Sequence, residues 1–291
     1  MAVIGLGTMG RPMARRLLAA GHTVTGHDPD PAALAEVAEH GAQPAPSART
    51  AAHTADVVIT MLPKGSHVLA ATTGPDGALA GMRPGSVLVD MSTIDPATSA
   101  RVNTEATAQG VRMLDAPVSG SSTGATDGTL TIMVGGPAEV LAAAHPILSV
   151  LGQRIIHCGP AGSGVAVKLA NQVMAGAAMV AVAEAFLLAE QLGINPNLLF
   201  DVATTSSGDC WALRTRPPVP GIVKGGPADN DFAPGFKGAL MSKDLLLALD
   251  TARGAGIRLP LTEQAHELYA LMGEKGFGDK DFSAVFTALR E

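Results

Sequence analysis

Four groups of residues in this sequence have types and spacing that could do chemistry. The first is Gly5-Leu6-Gly7-Thr8-Met9-Gly10, which fits G-x-G-x-x-G directly after an apolar run at 2–6. In that pattern the first glycine allows a tight turn and the second lets the backbone approach a pyrophosphate. The third lets helix and strand pack closely. The helix that follows offers free N–H groups and a positive dipole end to phosphate. An ordinary glycine-rich turn is the alternative, and the strand-before, helix-after context favours dinucleotide binding. The second group is Asp28, 18 residues after Gly10 at the end of the next apolar stretch. A carboxylate there accepts hydrogen bonds from ribose hydroxyls and repels a 2′-phosphate. No Arg follows closely, so the pattern favours NAD over NADP; the alternative is a helix N-cap before Pro31.

The third group is Asp115-Ala116-Pro117-Val118-Ser119-Gly120-Ser121, an apolar run that opens into a Gly/Ser/Thr-rich loop. Backbone N–H groups and small hydroxyls in such a loop can hold a carboxylate, or the segment is simply a polar turn. The fourth is Lys168 with Asn171, three apart in a long helical pattern and therefore on one face. Burial of a lysine among apolar positions lowers its pKa and suits it to general acid/base work. A lysine snorkelling from the helix edge is the other reading.

These residues need elements to position them. Apolar runs at 2–6, 23–27, 56–61, 86–90, 111–117 and 130–135 alternate with helical spacing over most of the first half. That rhythm predicts an α/β fold with a mostly parallel, doubly wound sheet covered by helices on both faces. It stops near the glycine-rich 159–164 segment. A helical pattern then runs from about 165 to 192, apolar nearly all round and so expected to be buried. Further helices are expected at about 195–205, 237–254, 262–273 and 281–290. The expected division is a dinucleotide-binding domain over 1–160 and an all-helical domain over 161–291, entered by the long helix. Between the later helices, 216–235 holds five prolines and four glycines in 20 residues, which forbids an α-helix there. So long a loop is usually functional. Trp211, the one indole of the chain, is expected to pack beneath its start.

Composition narrows the function classes. The chain has 291 residues, 47% of them hydrophobic and 16% charged, enough for a large core. A net charge of -6 without a basic run excludes nucleic acid as an expected partner. The two cysteines, Cys158 and Cys210, make no disulfide framework and fit a reducing compartment. Eight histidines are scattered without metal-ligand spacing, so no metal is assigned. The most apolar interior run, 173–183, is about half the length of a membrane span. No signal or transit peptide is read at the N-terminus. The sequence reads as a soluble, cytoplasmic protein.

Taken in order, GLGTMGRPMARRL at 5–17, DAPVSG at 115–120, TIMVGG at 131–136, GSGVAVKLAN at 162–171 and KDLLLAL at 243–249 resemble the β-hydroxyacid dehydrogenase family over essentially the whole chain. SSGDCW at 206–211, PVPG at 218–221, FKGALMSKDL at 236–245 and DFSAVFTALRE at 281–291 resemble the branch that oxidises 3-hydroxyisobutyrate. The KLANQ run at 168–172 is shared with reductases of tartronate semialdehyde. The resemblance implies a Rossmann domain, a helical domain and an active site in the cleft between them. It implies catalysis by Lys168 and a substrate carboxylate held by Ser119 and Gly120, with Ser121 beside them. Asn171 or Gln172 would place the substrate. The loops Met61-Leu62-Pro63 and Ser92-Thr93, together with Lys243, would meet the dinucleotide; on its own Lys243 reads as a surface lysine. Two departures stand out: Ser121 replaces a common Gly, and Gln172 a common Asn. The implied reaction is NAD-dependent oxidation of 3-hydroxyisobutyrate to methylmalonate semialdehyde in valine degradation, by a homodimer or homotetramer. The rivals are a tartronate semialdehyde reductase or another small β-hydroxyacid dehydrogenase, and a dinucleotide-binding sensor without turnover.

Overall fold

Three fully buried residues, Ala2–Ile4 (β1), form the strand from which the first half is built outward. The computed structural model describes residues 1–290; Glu291, the last residue of the C-terminal motif run, lies outside the described residues. After β1 come α1 (Gly10–Ala19), β2 (Thr25–His27), α2 (Pro31–Ala38), β3 (Gln43–Pro44) and α3 (Ala48–Ala52). Then follow β4 (Val57–Thr60), α4 (Gly65–Thr72), β5 (Val87–Asp90), α5 (Pro96–Ala108) and β6 (Arg112–Asp115). The sheet finishes with β7 (Val118–Ser119), α6 (Ser121–Asp127), β8 (Leu130–Gly135), α7 (Ala138–Leu151) and β9 (Gly152–Gly159). The strand order is β3-β2-β1-β4-β5-β6-β8-β7, with β9 also paired to β8. Pairings from β3 to β6 are parallel, while β8 runs antiparallel to β6 and β7. This is the doubly wound α/β sheet expected from the sequence. Every residue of β4 and β5 is buried, as parallel strands covered on both faces must be.

The chain order reverses about β1, which pairs with β2 on one side and β4 on the other. Such a switch point opens a crevice at the carboxyl ends of the strands, where ligands of open α/β sheets bind. Helix starts are fixed by local chemistry. Asp30 caps α2 and Asp95 caps α5, each followed by proline at the first helical position. The runs at 2–6, 23–27, 56–61, 86–90, 111–117 and 130–135 correspond to β1, β2, β4, β5, β6 and β8. β9 was not foreseen: as a strand at the sheet margin it exposes Gln153, Arg154, Ile156 and His157 and lacks an apolar pattern.

The chain divides into two compact units, Met1–Lys168 and Leu169–Glu291. The second is all-helical among the described residues. It contains most of α8 (Ser163–Gln191), then α9 (Pro196–Thr204), α10 (Trp211–Thr215), α11 (Gly238–Gly254), α12 (Pro260–Glu274) and α13 (Val285–Arg290). Its core gathers Met179, Ala183 and Phe186 of α8 with Met241, Leu245, Tyr269, Phe282 and Phe286. By length and composition α8 could cross a membrane, yet it buries Lys168 and Gln172 and sends those three apolar residues into the helical core. The expectation of all-round burial is corrected on one point. Met174, Leu188 and Leu192, just past the helix end, are 66%, 61% and 65% exposed. An apolar composition all round does not say which face a neighbour covers.

The 216–235 loop holds only a 3-10 turn at Pro227–Asn230. One carboxylate closes its base. Asp281, fully buried, accepts Arg216 Nη1 at 2.6 Å and the N–H groups of Gly235 and Phe236 at 3.1 Å each. Inside the loop, Asp229 accepts the N–H groups of Gly221 and Gly225, which hold its carboxyl below the usual range. Trp211 meets the loop start only through Arg216 and is not buried beneath it: it is 56% exposed. The packed group is Arg216, whose guanidinium carbon lies 5.4 Å from the Trp211 ring and 5.5 Å from that of Phe282. A planar cation with a buried carboxylate partner takes the place proposed for the indole. Asp281→Ala leaves Arg216 buried without its partner and should cost about 3–5 kcal/mol. Urea unfolding measures that loss, and limited proteolysis should show new cutting within 217–234.

Candidate active site

The glycine motif lies where β1 turns into α1. Gly5 has φ +91° and donates its N–H to the His27 carbonyl at 2.9 Å. A Cβ on Gly5 would stand 2.4 Å from the Met61 carbonyl oxygen, and one on Gly10 only 1.8 Å from that of Gly5. Both positions are closed to any side chain. Gly7 is the opposite case: it is exposed, and a Cβ there meets nothing within 4 Å. The backbone is therefore bare and open at the position where a pyrophosphate approaches, as the dinucleotide reading requires. Thr8 is exposed and Met9 half-buried beside it.

Asp28 follows β2 and accepts the Leu6 N–H at 2.7 Å through Oδ2 and the Asp30 N–H at 2.9 Å through Oδ1. The cap of α2 is Asp30, which accepts from Ala32. Asp28 is thus fastened to the glycine loop rather than spent on a helix end. On the other side of β1, the Met61 carbonyl crowds Gly5 and the Leu62 N–H donates to Ser92 Oγ at 2.9 Å. The structure brings Gly5, Leu6, Asp28, Met61, Leu62 and Ser92 together, with Pro63 exposed and Thr93 half-buried next in chain.

At the end of β6 stands Asp115, 1% exposed. Its Oδ1 accepts the Gly162 N–H at 2.7 Å and its Oδ2 the Val165 N–H at 2.9 Å. A carboxylate on the orphan N–H groups and positive end of a helix is favoured. Burial pushes the Asp115 carboxyl above its ordinary value, and those same N–H bonds oppose the rise. The approach is tight: a Cβ on Gly164 would lie 2.4 Å from the Met133 carbonyl and 2.6 Å from that of Asp115. Lys168 follows Val165 by three residues on this helix and is 5% exposed. Its burial speaks against snorkelling.

From Asp115 the chain runs on to Ser119 and Gly120, so the strand end that seats α8 also launches the proposed carboxylate loop. Ser119 and Ser121 are half-buried and Gly120 exposed. Ser121 has φ +60°, a left-handed conformation that costs a residue with a Cβ roughly 1–2 kcal/mol. That is a physical reason for the glycine common there.

In the helical unit, Gln172 is 4% exposed and uses both ends of its amide. Its Oε1 accepts Asn171 Nδ2 at 3.1 Å, and its Nε2 donates to Asp244 Oδ2 at 2.8 Å. Asp244 Oδ1 pairs with Lys243 Nζ at 3.0 Å. Asn171, Gln172 and Lys243 are therefore joined through Asp244, which sequence reasoning passed over although it stands beside Lys243 in the KDL run. Asp90 was passed over too, and Asp115, although it opens the third group, was given no role of its own; an acidic residue closing a buried apolar run was the available signal. Among the described residues no three His, Cys, Asp or Glu side chains cluster as a metal site would.

Comparison with known proteins finds relatives over the whole chain. Residues 1–159 match the family described as the NAD binding domain of 6-phosphogluconate dehydrogenase. Residues 162–289 match the NAD-binding family of NADP-dependent 3-hydroxyisobutyrate dehydrogenase. The mitochondrial 3-hydroxyisobutyrate dehydrogenase of Homo sapiens is 41% identical over 288 residues, covering 99% of this chain and 86% of the human one. The solved structure of Mycobacterium tuberculosis 3-hydroxyisobutyrate dehydrogenase with L-serine superimposes with a TM-score of 0.93 at 46% identity, covering 100% of this chain and 98% of that one. A Salmonella typhimurium 3-hydroxyisobutyrate dehydrogenase structure gives 0.84 at 32% identity, covering 98% of each chain.

Gly7→Ala separates binding from folding. The added methyl meets no protein atom, so Tm should stay near that of the parent. It fills the phosphate approach, so the Kd for NAD should rise about tenfold or more, a loss of ~1.4 kcal/mol. Thermal melting and calorimetric NAD titration read the two effects independently.

Proposed function

The chain belongs to the 3-hydroxyisobutyrate dehydrogenase family, and from that premise we propose that it oxidises 3-hydroxyisobutyrate to methylmalonate semialdehyde, a step of valine degradation, with Lys168 as general acid/base. It is an NAD-binding hydroxyacid dehydrogenase built on a Rossmann-like domain and a helical region. The observation that carries the proposal is the buried Lys168, one turn into a helix whose start is locked onto Asp115.

The glycine loop, Asp28, Met61-Leu62-Pro63, Thr93 and Lys243 would hold the dinucleotide, whose nicotinamide would supply the acceptor for the hydride from the substrate carbon. Ser119, Gly120 and Ser121 receive the substrate carboxylate through N–H groups and hydroxyls. Asn171, oriented by its hydrogen bond to Gln172, positions the hydroxyl. The neutral amine of Lys168 takes the hydroxyl proton as the C–H bond breaks; in reverse, its ammonium returns that proton to the alkoxide. L-Serine, the molecule with which the Mycobacterium tuberculosis relative was solved, is itself a β-hydroxyacid. Its carboxylate and hydroxyl have the spacing found in 3-hydroxyisobutyrate. NAD is preferred to NADP although the family matched at 162–289 is described as NADP-dependent. Support comes from Asp28, an acidic group beside the glycine loop that repels a 2′-phosphate.

Gln172 favours a second reading, reduction of tartronate semialdehyde, because KLANQ is shared with those reductases. Exposed Met174, Leu188, Leu198 and Val202 on α8 and α9 support a homodimer or homotetramer, for which light scattering is the check. Free Cys158 and Cys210 support a reducing compartment, the cytoplasm.

The test is an initial-rate panel: oxidation of 3-hydroxyisobutyrate against reduction of tartronate semialdehyde, each with NAD(H) and NADP(H). The highest kcat/KM should fall to 3-hydroxyisobutyrate with NAD. Faster tartronate semialdehyde turnover would select the second reading, and no turnover at all a sensor. Lys168→Ala should lower kcat by on the order of 10²–10⁴ while NAD binding survives. Turnover near that of the parent would remove Lys168 from the mechanism.

A further inference from the structure

Asp90 ends β5, is fully buried, and lies outside the machinery described above. Its Oδ1 accepts Thr60 Oγ1–H at 2.7 Å and the Ser92 N–H at 3.2 Å. Ser92, held at its N–H by Asp90, accepts the Leu62 N–H on its Oγ at 2.9 Å. One carboxyl thus ties the end of β4 at Thr60 to the 61–63 loop on one side and the 92–93 loop on the other. Its second oxygen, Oδ2, is buried with no hydrogen-bond partner. A fold seeking stability alone would not leave a buried carboxylate oxygen unmatched, since the desolvation it suffers goes uncompensated.

We propose that Asp90 is a positioning residue for the dinucleotide: through Thr60, Ser92 and the Leu62 N–H it sets the two loops that receive the cofactor. This rests on the reading that 61–63 and 92–93 meet NAD. The ionised carboxylate does the holding, because hydrogen bonds to a charged acceptor are about twice as strong as neutral ones. Burial raises the carboxyl to about 6 against the pull of Ser92 and Thr60, and the charged neighbour facing it is Asp115 on β6, which raises it further. Protonation therefore weakens the hold within the range in which dehydrogenases are assayed. A folded value above the unfolded one also fixes the sign for stability. The contribution is fully present below the unfolded value of 3.8 and is lost as pH rises through about 6. Above that, ionised Asp90 costs stability while it serves cofactor binding.

The experiment is calorimetric NAD titration, with thermal melting, of the full chain and of Asp90→Asn, Ser92→Ala and Pro63→Gly at pH values from about 5 to about 8. NAD affinity of the parent should fall as pH drops through about 6. Asp90→Asn should bind NAD about tenfold more weakly at pH ~7.5, without that pH dependence, and melt no lower than the parent. Ser92→Ala, which cuts the link to Leu62, should bind as weakly and provides the same reading should Asp90→Asn not fold. A merely structural aspartate would instead lose Tm and leave the affinity of the folded fraction unchanged; that result overturns the proposal. Pro63→Gly tests the underlying reading. If it weakens NAD while Asp90→Asn and Ser92→Ala bind like the parent, the loops meet the cofactor and the positioning role is wrong. If Pro63→Gly also binds like the parent, the loop reading itself fails and the proposal with it.

Discussion

The carboxylate of Asp115 receives the first free N–H groups of α8, and the placement of Lys168 follows from that contact. Its two oxygens take Gly162 and Val165, residues 47 and 50 positions further along the chain. Hydrogen bonds to a charged acceptor contribute about 1.5–3 kcal/mol each, and here they also fix the rotation and height of a helix. Rise and twist along a helix are set by its geometry, 1.5 Å and about 100° per residue. Fixing Val165 therefore fixes Lys168 three residues on. The glycine at 164 allows the helix backbone to lie against β6 and β8, where any side chain would collide with carbonyls.

The same strand ends serve three tasks. β1 turns through a glycine loop whose Gly5 and Gly10 are closed by backbone contact and whose Gly7 stands open. β4 and β5 end in Thr60 and Asp90, joined by one hydrogen bond. β6 ends in Asp115, which holds a helix with its side chain and leads into the Ser119 loop with its backbone. Parallel pairing in register, Thr60 with Asp90 and Asp90 with Asp115, sets these groups side by side at the carboxyl edge of the sheet. The helical unit orders its own polar chain, from Asn171 through Gln172 and Asp244 to Lys243, around a buried carboxylate that takes one donor from a distant segment, Gln172, and one from its neighbour, Lys243.

Much of this was legible in the sequence, for reasons that are local. A buried parallel strand must be apolar throughout, so β1, β4 and β5 announced themselves. A glycine pattern between strand and helix has few other uses. The distant partners of Asp115, Asp281 and Gln172 were not legible, because they stand 45 to 72 residues away in sequence. The exposed face of α8 was hidden for another reason: its sequence is apolar on every side, and only packing decides which side is covered. Trp211 misled because size alone suggested burial. The loop base is instead held by Arg216, whose charge finds Asp281 and whose plane faces two rings. Ser121 could be flagged as a departure, but its left-handed backbone shows only in three dimensions.

The most direct measurement of the central claim uses Asp115→Asn, which keeps the size of the side chain and replaces one acceptor oxygen with a donor. That amide can satisfy Gly162 or Val165 but not both, so the first turn of α8 must shift while the glycine loop is untouched. Steady-state turnover and calorimetric NAD titration of the same preparation give the answer. If Asp115 seats the helix that carries Lys168, kcat should fall by about tenfold or more, equivalent to ~1.4 kcal/mol of barrier, with the NAD Kd within about twofold of the parent. A kcat equal to that of the parent, or a loss of NAD affinity matching the loss of kcat, would contradict it.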